Sequence, residues 1–351
     1  SATNVSGLSD TQVAALNATQ VAAFTTAQVG ALDATDFARY SATQVAAFTA
    51  TQLAALSATN FAALSETQIA ALTTTQIQAA TATQIGALTA TQTAALTTAE
   101  VAALSSTQVR ALSTTNLSTL DATQFGVLTA GQVAALTATQ ISALNATDVG
   151  DVKTTQIGAL TATQVRGLTA TTFGALLDTQ VAAFDATQIG AVSATNVAAL
   201  TDTQAGALTA TQIGALNATQ IHALTGATLD ALTATQINAF NVTQARTLST
   251  TQIAGLTATD AAKFNTTLLN ALTTSQVAAL TSTNVASLAA TQIAAFGVTQ
   301  VGRLSTDALS ALDATQVAAI TTTQVGAINT TQLAALTAKL DAAHAALADI
   351  A

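Results

Sequence analysis

Residues Thr81–Leu88 read TATQIGAL, and the same eight letters return at Thr209–Leu216. Near-copies fill the rest of the chain. Counted from Ser1, every eighth residue from Leu8 to Leu336 is apolar or nearly so, mostly Leu, with Tyr40 and Ala80 as the odd ones. That makes 42 consecutive octads with no insertion or deletion. The fifth position is Val, Ile, Leu or Phe in 38 of them, the exceptions being Thr93, Ala205, Ala245 and Ala261. All ten Phe fall in columns five and eight, which are therefore the predicted core.

A strand cannot carry this pattern. Side chains of a strand alternate, so columns five and eight would face opposite sides unless every repeat bent. One continuous helix fails as well, because eight residues leave a drift of roughly 80° per repeat and the apolar stripe would wind around it. The pattern demands short helices with a break in each octad. Column one supplies the break: it is Ser, Thr, Asn or Asp in 38 octads, the residues that cap helix N-termini. Column four is Gln in 29 octads and Glu once, at Glu100. Thr-x-x-Gln is a capping box, and the Leu before the cap pairs with the column-five residue as a hydrophobic staple.

Charge placement is an independent check. Of 15 acidic residues before position 337, 13 lie in columns one to four; of seven basic residues there, six lie in columns six and seven. A helix dipole favours this polarity, acids first and bases last. Helices of this length are marginal alone. A cap worth about 1 kcal/mol does not offset the ordering of eight residues at roughly 1–2 kcal/mol each. Stability must come from stacking, so the expected fold is an all-α solenoid of very short N-capped helices, one per octad, over residues 1–336. Two or three octads per coil both satisfy the pattern. Column seven, mostly Ala, is expected where helices approach closely, and column six, which holds Gln78, Arg110, His222 and Asn238, is expected to face solvent. Column three is Thr in the great majority of octads although Thr is a mediocre helix former. The expected accounts are methyl packing, a hydroxyl bond to an adjacent coil, or an outward Thr-x-Thr array. Residues 337–351, with Leu340, Ala343, Leu347 and Ile350 at helical spacing, are expected to form one longer helix that caps the solenoid or docks a partner.

Composition narrows the function classes. Charged residues are 7%, the net charge is −9, and Pro, Cys, Met and Trp are absent. There is thus no thiolate for catalysis, metal binding or a disulfide. Eight scattered basic residues cannot neutralise a nucleic-acid backbone, and no apolar run is long enough for a membrane span. The chain opens at Ser1 without a signal-like segment, as expected of either a processed chain or a piece of a longer one. Ser and Thr abound, but a nucleophile needs a base, and the only histidines are His222 and His344. The carboxylate pairs Asp33/Asp36 and Asp148/Asp151 have helical spacing, yet they include cap and capping-box positions and lack a calcium-loop pattern. Eight Asn-x-Ser/Thr triplets follow mostly from Asn in the cap column and Thr in column three. No catalytic, cofactor-binding or metal-binding residue is assigned, and no cofactor is expected.

The stretch FTTAQVGAL at Phe24–Leu32 resembles the LTTxQ(I/V)xAL tracts of large secreted or cell-surface proteins of Gram-negative bacteria. The resemblance spans residues 1–336. It implies an extracellular, non-enzymatic structural or adhesive role: a filament or surface-layer subunit, or an adhesin stalk. The alternative is a repetitive binding surface for ice, through ranked threonines, or for glycans. The expected partner is another copy of the chain, through the solenoid ends or lateral faces.

Overall fold

A computed structural model describes residues 2–338, with side chains from Asn4 onward. Among them there is no strand, and each octad contributes one helix. The helices run from Ala2–Ser6 to Thr322–Val325, most of them four to six residues long, followed by a helix over 330–338. The fold is a helical solenoid. The chain divides into two compact units, 1–183 and 184–351, built on the same plan.

Helix starts follow the sequence reading closely. Thr81 has an extended backbone (φ −69°, ψ 154°), and its hydroxyl accepts from the Gln84 N–H. Gln84 Oε1 in turn accepts from the Thr81 N–H at 2.7 Å. Where column one holds Lys153, Leu177, Ala289 or Gly297, the side-chain cap is missing and only the Gln half of the box remains. Helix ends use no special residue. Leu104 (φ −59°, ψ 136°) and Ser105 (φ −70°, ψ 158°) follow one another in the polyproline-type region. Two such residues redirect the chain, so no described residue needs a positive φ. This is why the break is written with Leu-Thr rather than with Gly or Pro.

Within each unit, the helices that pack closely are three octads apart. In the first unit Ala42–Ala47 lies between Ala18–Ala22 and Glu66–Ile69; in the second, Ala210–Ala215 packs on Ala186–Ala191. One coil is therefore three octads, or 24 residues. Column five is buried from Val5 to Leu309, and column eight is buried at nearly every octad between. Each such Leu, Ile or Phe stabilises by roughly 1.5–3 kcal/mol, which is the stacking term the short helices lack on their own. The largest aromatic cluster lies in the first unit, where the Tyr40 ring sits 5.5 Å from Phe48 and 6.1 Å from Phe37. The Tyr40 hydroxyl is buried with no hydrogen-bond partner.

Two expectations need correction. Column six carries exposed long side chains such as Arg110 and His222, but its backbone borders the next coil. A Cβ on Gly86 would lie 2.8 Å from the Ala111 carbonyl, and one on Gly302 only 2.6 Å from Ala327 O. Asn238 uses the same seam, donating Nδ2 to Lys263 O at 2.9 Å. The close approach is thus between column six and the column-seven carbonyl of the following coil. Column three, by contrast, is exposed at every octad from Thr11 to Thr331. Its threonines neither pack in the core nor bond an adjacent coil, which removes both of those accounts and leaves an outward array. The last described helix does not break at Leu336 but continues through 338. The rest of the expected terminal helix, including His344, lies outside the described residues.

Candidate functional site

The position with the most chemistry is column four. From Gln44 to Gln332 its Gln side chains, all but the half-buried Gln252, are buried although polar, and each must satisfy two N–H donors and an acceptor oxygen. Gln84 does so completely. While Oε1 closes the capping box, Nε2 donates to Leu53 O at 2.9 Å and Leu56 O at 2.8 Å, in the preceding coil. The same offsets, 31 and 28 residues back, recur at Gln44, Gln68, Gln108 and Gln164 in the first unit. They recur at Gln220, Gln244, Gln276 and Gln300 in the second. One amide therefore starts its own helix and caps the C-terminal carbonyls of another. Helix ends leave such carbonyls unpaired, and buried ones need a donor. Asn is one methylene shorter and keeps only the nearer acceptor: Asn116 Nδ2 donates to Leu88 O at 2.6 Å and Asn284 Nδ2 to Leu256 O at 2.7 Å.

Acids in this column show what the amide supplies. Asp36 cannot donate to Leu8 O, and Arg39, three residues on, does so instead through Nη1 at 2.8 Å while pairing with Asp36 at 3.6 Å. Asp260 is served in the same way by Lys263, whose Nζ donates to Leu232 O and to Asp260 Oδ1, both at 2.7 Å. Burial pushes the Asp260 carboxyl up, but hydrogen bonds from Asp230, Lys263 and Thr257 outweigh it and hold it below the usual range. The hydrogen bond to Asp260, aided by its negative charge, raises Asp230. Asp148 has Asp151 three residues on rather than a base, and stays half-exposed. Glu100 has neither a base nor solvent. It is 2% exposed; Oε2 accepts from Thr97 N–H at 2.6 Å, and Oε1 has no partner. The carbonyls in register with it belong to Ile69 and Leu72, acceptors facing an acceptor. Burial accordingly raises its pKa.

The remaining carboxylate candidates sit at helix ends. Asp33 Oδ1 accepts from Asp36 N–H at 2.9 Å and Asp36 Oδ2 from Asp33 N–H at 3.1 Å, a complete capping box. Asp148 Oδ2 accepts from Asn145 N–H at 3.0 Å, and Asp151 ends that helix. His222 is exposed in the last turn of Ala218–Ala223. Among the described residues no group of three or more His, Cys, Asp or Glu could hold a metal ion, and no helix is long and apolar enough to cross a membrane.

Cap, interlayer amide and two core columns, repeated every eight residues, define the unit that can be compared with known proteins. Residues 101–138 match the ALTTAQ repeat. The letters of that motif fall on columns seven, eight, one, two, three and four, as in ALTTAE at 95–100. The matched stretch holds Gln108, Asn116, Gln124 and Gln132, four of the interlayer amides, so the ALTTAQ-like Gln is the residue that joins coils. No curated protein matches the chain.

Proposed function

We propose that the chain is a non-enzymatic structural repeat protein of the cell exterior, a subunit of a filament or surface layer or the stalk of an adhesin. One observation carries this reading: the polar side chains that an enzyme would spend on chemistry are committed to holding coils together. Cap hydroxyls bind backbone N–H groups, column-four amides bind carbonyls, and two of the four acids in that column, Asp36 and Asp260, are paired with Arg39 and Lys263. What remains outside is a nearly uniform surface with few charges. Residues 40–109 contain no Lys or Arg, which denies trypsin-like proteases a target there. The extracellular placement rests on the resemblance to secreted and surface-protein tracts. Electron microscopy of the purified chain tests the structural role: fibres or ordered sheets support the filament and surface-layer forms, and uniformly dispersed single particles leave only the stalk.

A second reading draws on the outward threonines. Thr43, Thr67, Thr91 and Thr115 recur every 24 residues on stacked helices of the first unit, so they form one exposed file. Such a file suits a periodic partner, ice or a glycan. Ice-shaping and thermal-hysteresis measurements, with glycan binding in parallel, separate this reading from the first.

A further inference from the structure

A column-four side chain meets up to three backbone oxygens of the preceding coil, those 28, 30 and 31 residues back. Gln164 shows the full set, its Nε2 donating to Val133 O at 2.9 Å, Ala134 O at 3.4 Å and Leu136 O at 2.8 Å. Such a cradle of acceptors calls for hydrogens or for positive charge. Beside two of the column-four acids, a cation of the chain fills it. Lys263 Nζ lies 3.1 Å from Asp230 O, 2.7 Å from Leu232 O and 2.7 Å from Asp260 Oδ1. Arg39 does the same beside Asp36, with Nη1 2.8 Å from Leu8 O. Both bases stand three residues after the acid. Glu100 is different. Three residues after it comes Ala103, half-buried like Lys263, and residues 40–109 hold no Lys or Arg. Asp148 also lacks a base at that position, but it is half-exposed and solvent balances its charge. Glu100 is 2% exposed; one carboxylate oxygen closes the capping box on Thr97 N–H, and the other has no partner. By the offsets of the flanking Gln92 and Gln108, the cradle it faces is made by the carbonyls of Ile69, Ala70 and Leu72.

We infer that the Glu100 carboxylate and the carbonyls of Ile69, Ala70 and Leu72 bind a monovalent cation of the size of potassium or ammonium. Charge sets the valence. A buried carboxylate needs one compensating positive charge, and the carbonyls add no charge of their own, so a divalent ion would leave the site charged. Distance sets the size. The ammonium nitrogen beside Asp260 keeps its three oxygens at 2.7 to 3.1 Å. Calcium demands about 2.3–2.6 Å and magnesium about 2.0–2.1 Å. Backbone carbonyls that replace a hydration shell are suited to holding a potassium ion. Ala70 is exposed, which gives an ion a way in from solvent. The bound ion does at Glu100 what Lys263 does at Asp260, joining one coil to the coil before it. Where no such ion is supplied, a proton is left to neutralise the carboxylate.

Thermal melting of the full chain at neutral pH tests this, in potassium chloride and in tetramethylammonium chloride of equal ionic strength. Tetramethylammonium is too bulky for the cradle and has no N–H to donate. The natural chain is expected to melt higher in potassium, by an amount that grows with potassium concentration, as for any ligand that binds only the folded state. Calcium at the same ionic strength should raise it less. Glu100→Gln removes the charge and gives the carbonyls an amide. Ala103→Lys supplies an ammonium from the position that Lys263 holds beside Asp260. Each variant should melt above the natural chain in tetramethylammonium and lose the potassium-specific rise, and either serves if the other fails to fold. A natural chain that melts at the same temperature in both salts overturns the inference and leaves a proton at Glu100. A potassium-specific rise that persists in Glu100→Gln also overturns it, by placing the ion elsewhere. A larger rise in calcium than in potassium overturns the monovalent assignment.

Discussion

Gln84 donates its side-chain amide to the carbonyl of Leu56, 2.8 Å away in the preceding coil, while its own oxygen holds the N–H of Thr81. The carbonyl ends one octad and the N–H begins another, so a single planar group fixes the spacing between coils. A capping box alone would be indifferent to Gln or Glu. Only the amide supplies hydrogens to the carbonyls.

Gln84→Glu should therefore destabilise the first unit by about 1–3 kcal/mol, the cost of leaving buried acceptors unpaired beside a carboxyl. Gln12→Glu, at an exposed side chain whose amide has no described carbonyl partner, should change the stability of the dilute chain by less than about 0.5 kcal/mol. Denaturant unfolding of the two variants checks the contrast. Equal effects would show that the interlayer bond carries no weight.

Glu100 is the natural version of that variant, and it predicts an unusual pH response. Burial raises its carboxyl above the ordinary value of 4.5. The folded chain thus binds the proton more tightly than the unfolded chain. Its contribution grows as pH falls through the raised folded value and is complete below the unfolded one. This is the reverse of a salt-bridged carboxylate. Glu100→Gln should stabilise at neutral pH by about 1–3 kcal/mol, by restoring donors toward Ile69 and Leu72. It should also flatten the pH dependence of melting between neutral and mildly acidic conditions.

The pair Asp260–Lys263 stands in for one glutamine, and a double-mutant cycle measures that equivalence. Lys263→Ala alone leaves Leu232 O and the Asp260 carboxylate without the 2.7 Å bonds from Nζ. It should cost about 1–3 kcal/mol. Adding Asp260→Gln restores the amide and should recover most of the loss. Additive effects would contradict the stand-in role.

Much of this architecture is legible in the octad itself. The caps at Thr81 and Asp33, the box closed by Gln84, and the core of columns five and eight require only local physics. The interlayer role of Gln84 is not local, because its acceptors lie 28 and 31 residues away, at a distance set by three octads per coil. Two signals for it are nevertheless present in the text. Glu occurs once in column four against 29 Gln, a bias the capping box does not require. Two of the three Asp there, Asp36 and Asp260, are followed by a base at the third residue. Column six misleads for a related reason: the exposure of Arg110 says nothing about how near the backbone of Gly86 comes to Ala111 O.

That proximity gives a prediction opposite to helix propensity. Ala is the better helix former by about 1 kcal/mol. At Gly150 a Cβ meets nothing within 4 Å, so Gly150→Ala should stabilise by up to that amount. At Gly86 the Cβ would lie 2.8 Å from the backbone oxygen of Ala111, which cannot swing aside. Gly86→Ala should destabilise, by about 1–3 kcal/mol. Thermal melting of the two variants should therefore move in opposite directions.

The last prediction concerns phase. Each amide finds its acceptors by counting four octads back, and most octads present equivalent acceptors at columns five and eight. Deleting residues 81–88 removes one helix but keeps that count for every later octad, and only the four octads that follow the cut stack on a different predecessor. Gln108 would then meet the carbonyls of Ile69 and Leu72 in place of those of Ile77 and Ala80. These are again a β-branched residue in column five and an apolar residue in column eight. The cost should be little more than one lost helix. Deleting Ala87 alone is smaller in mass but shifts every later residue by one column within the coil that spans the deletion. Caps then face core positions, and amides face the wrong carbonyls until a full coil has passed. The single-residue deletion should lower the melting temperature of the first unit by several degrees more than the octad deletion. Equal losses would mean that the coils are not indexed by the column-four amides.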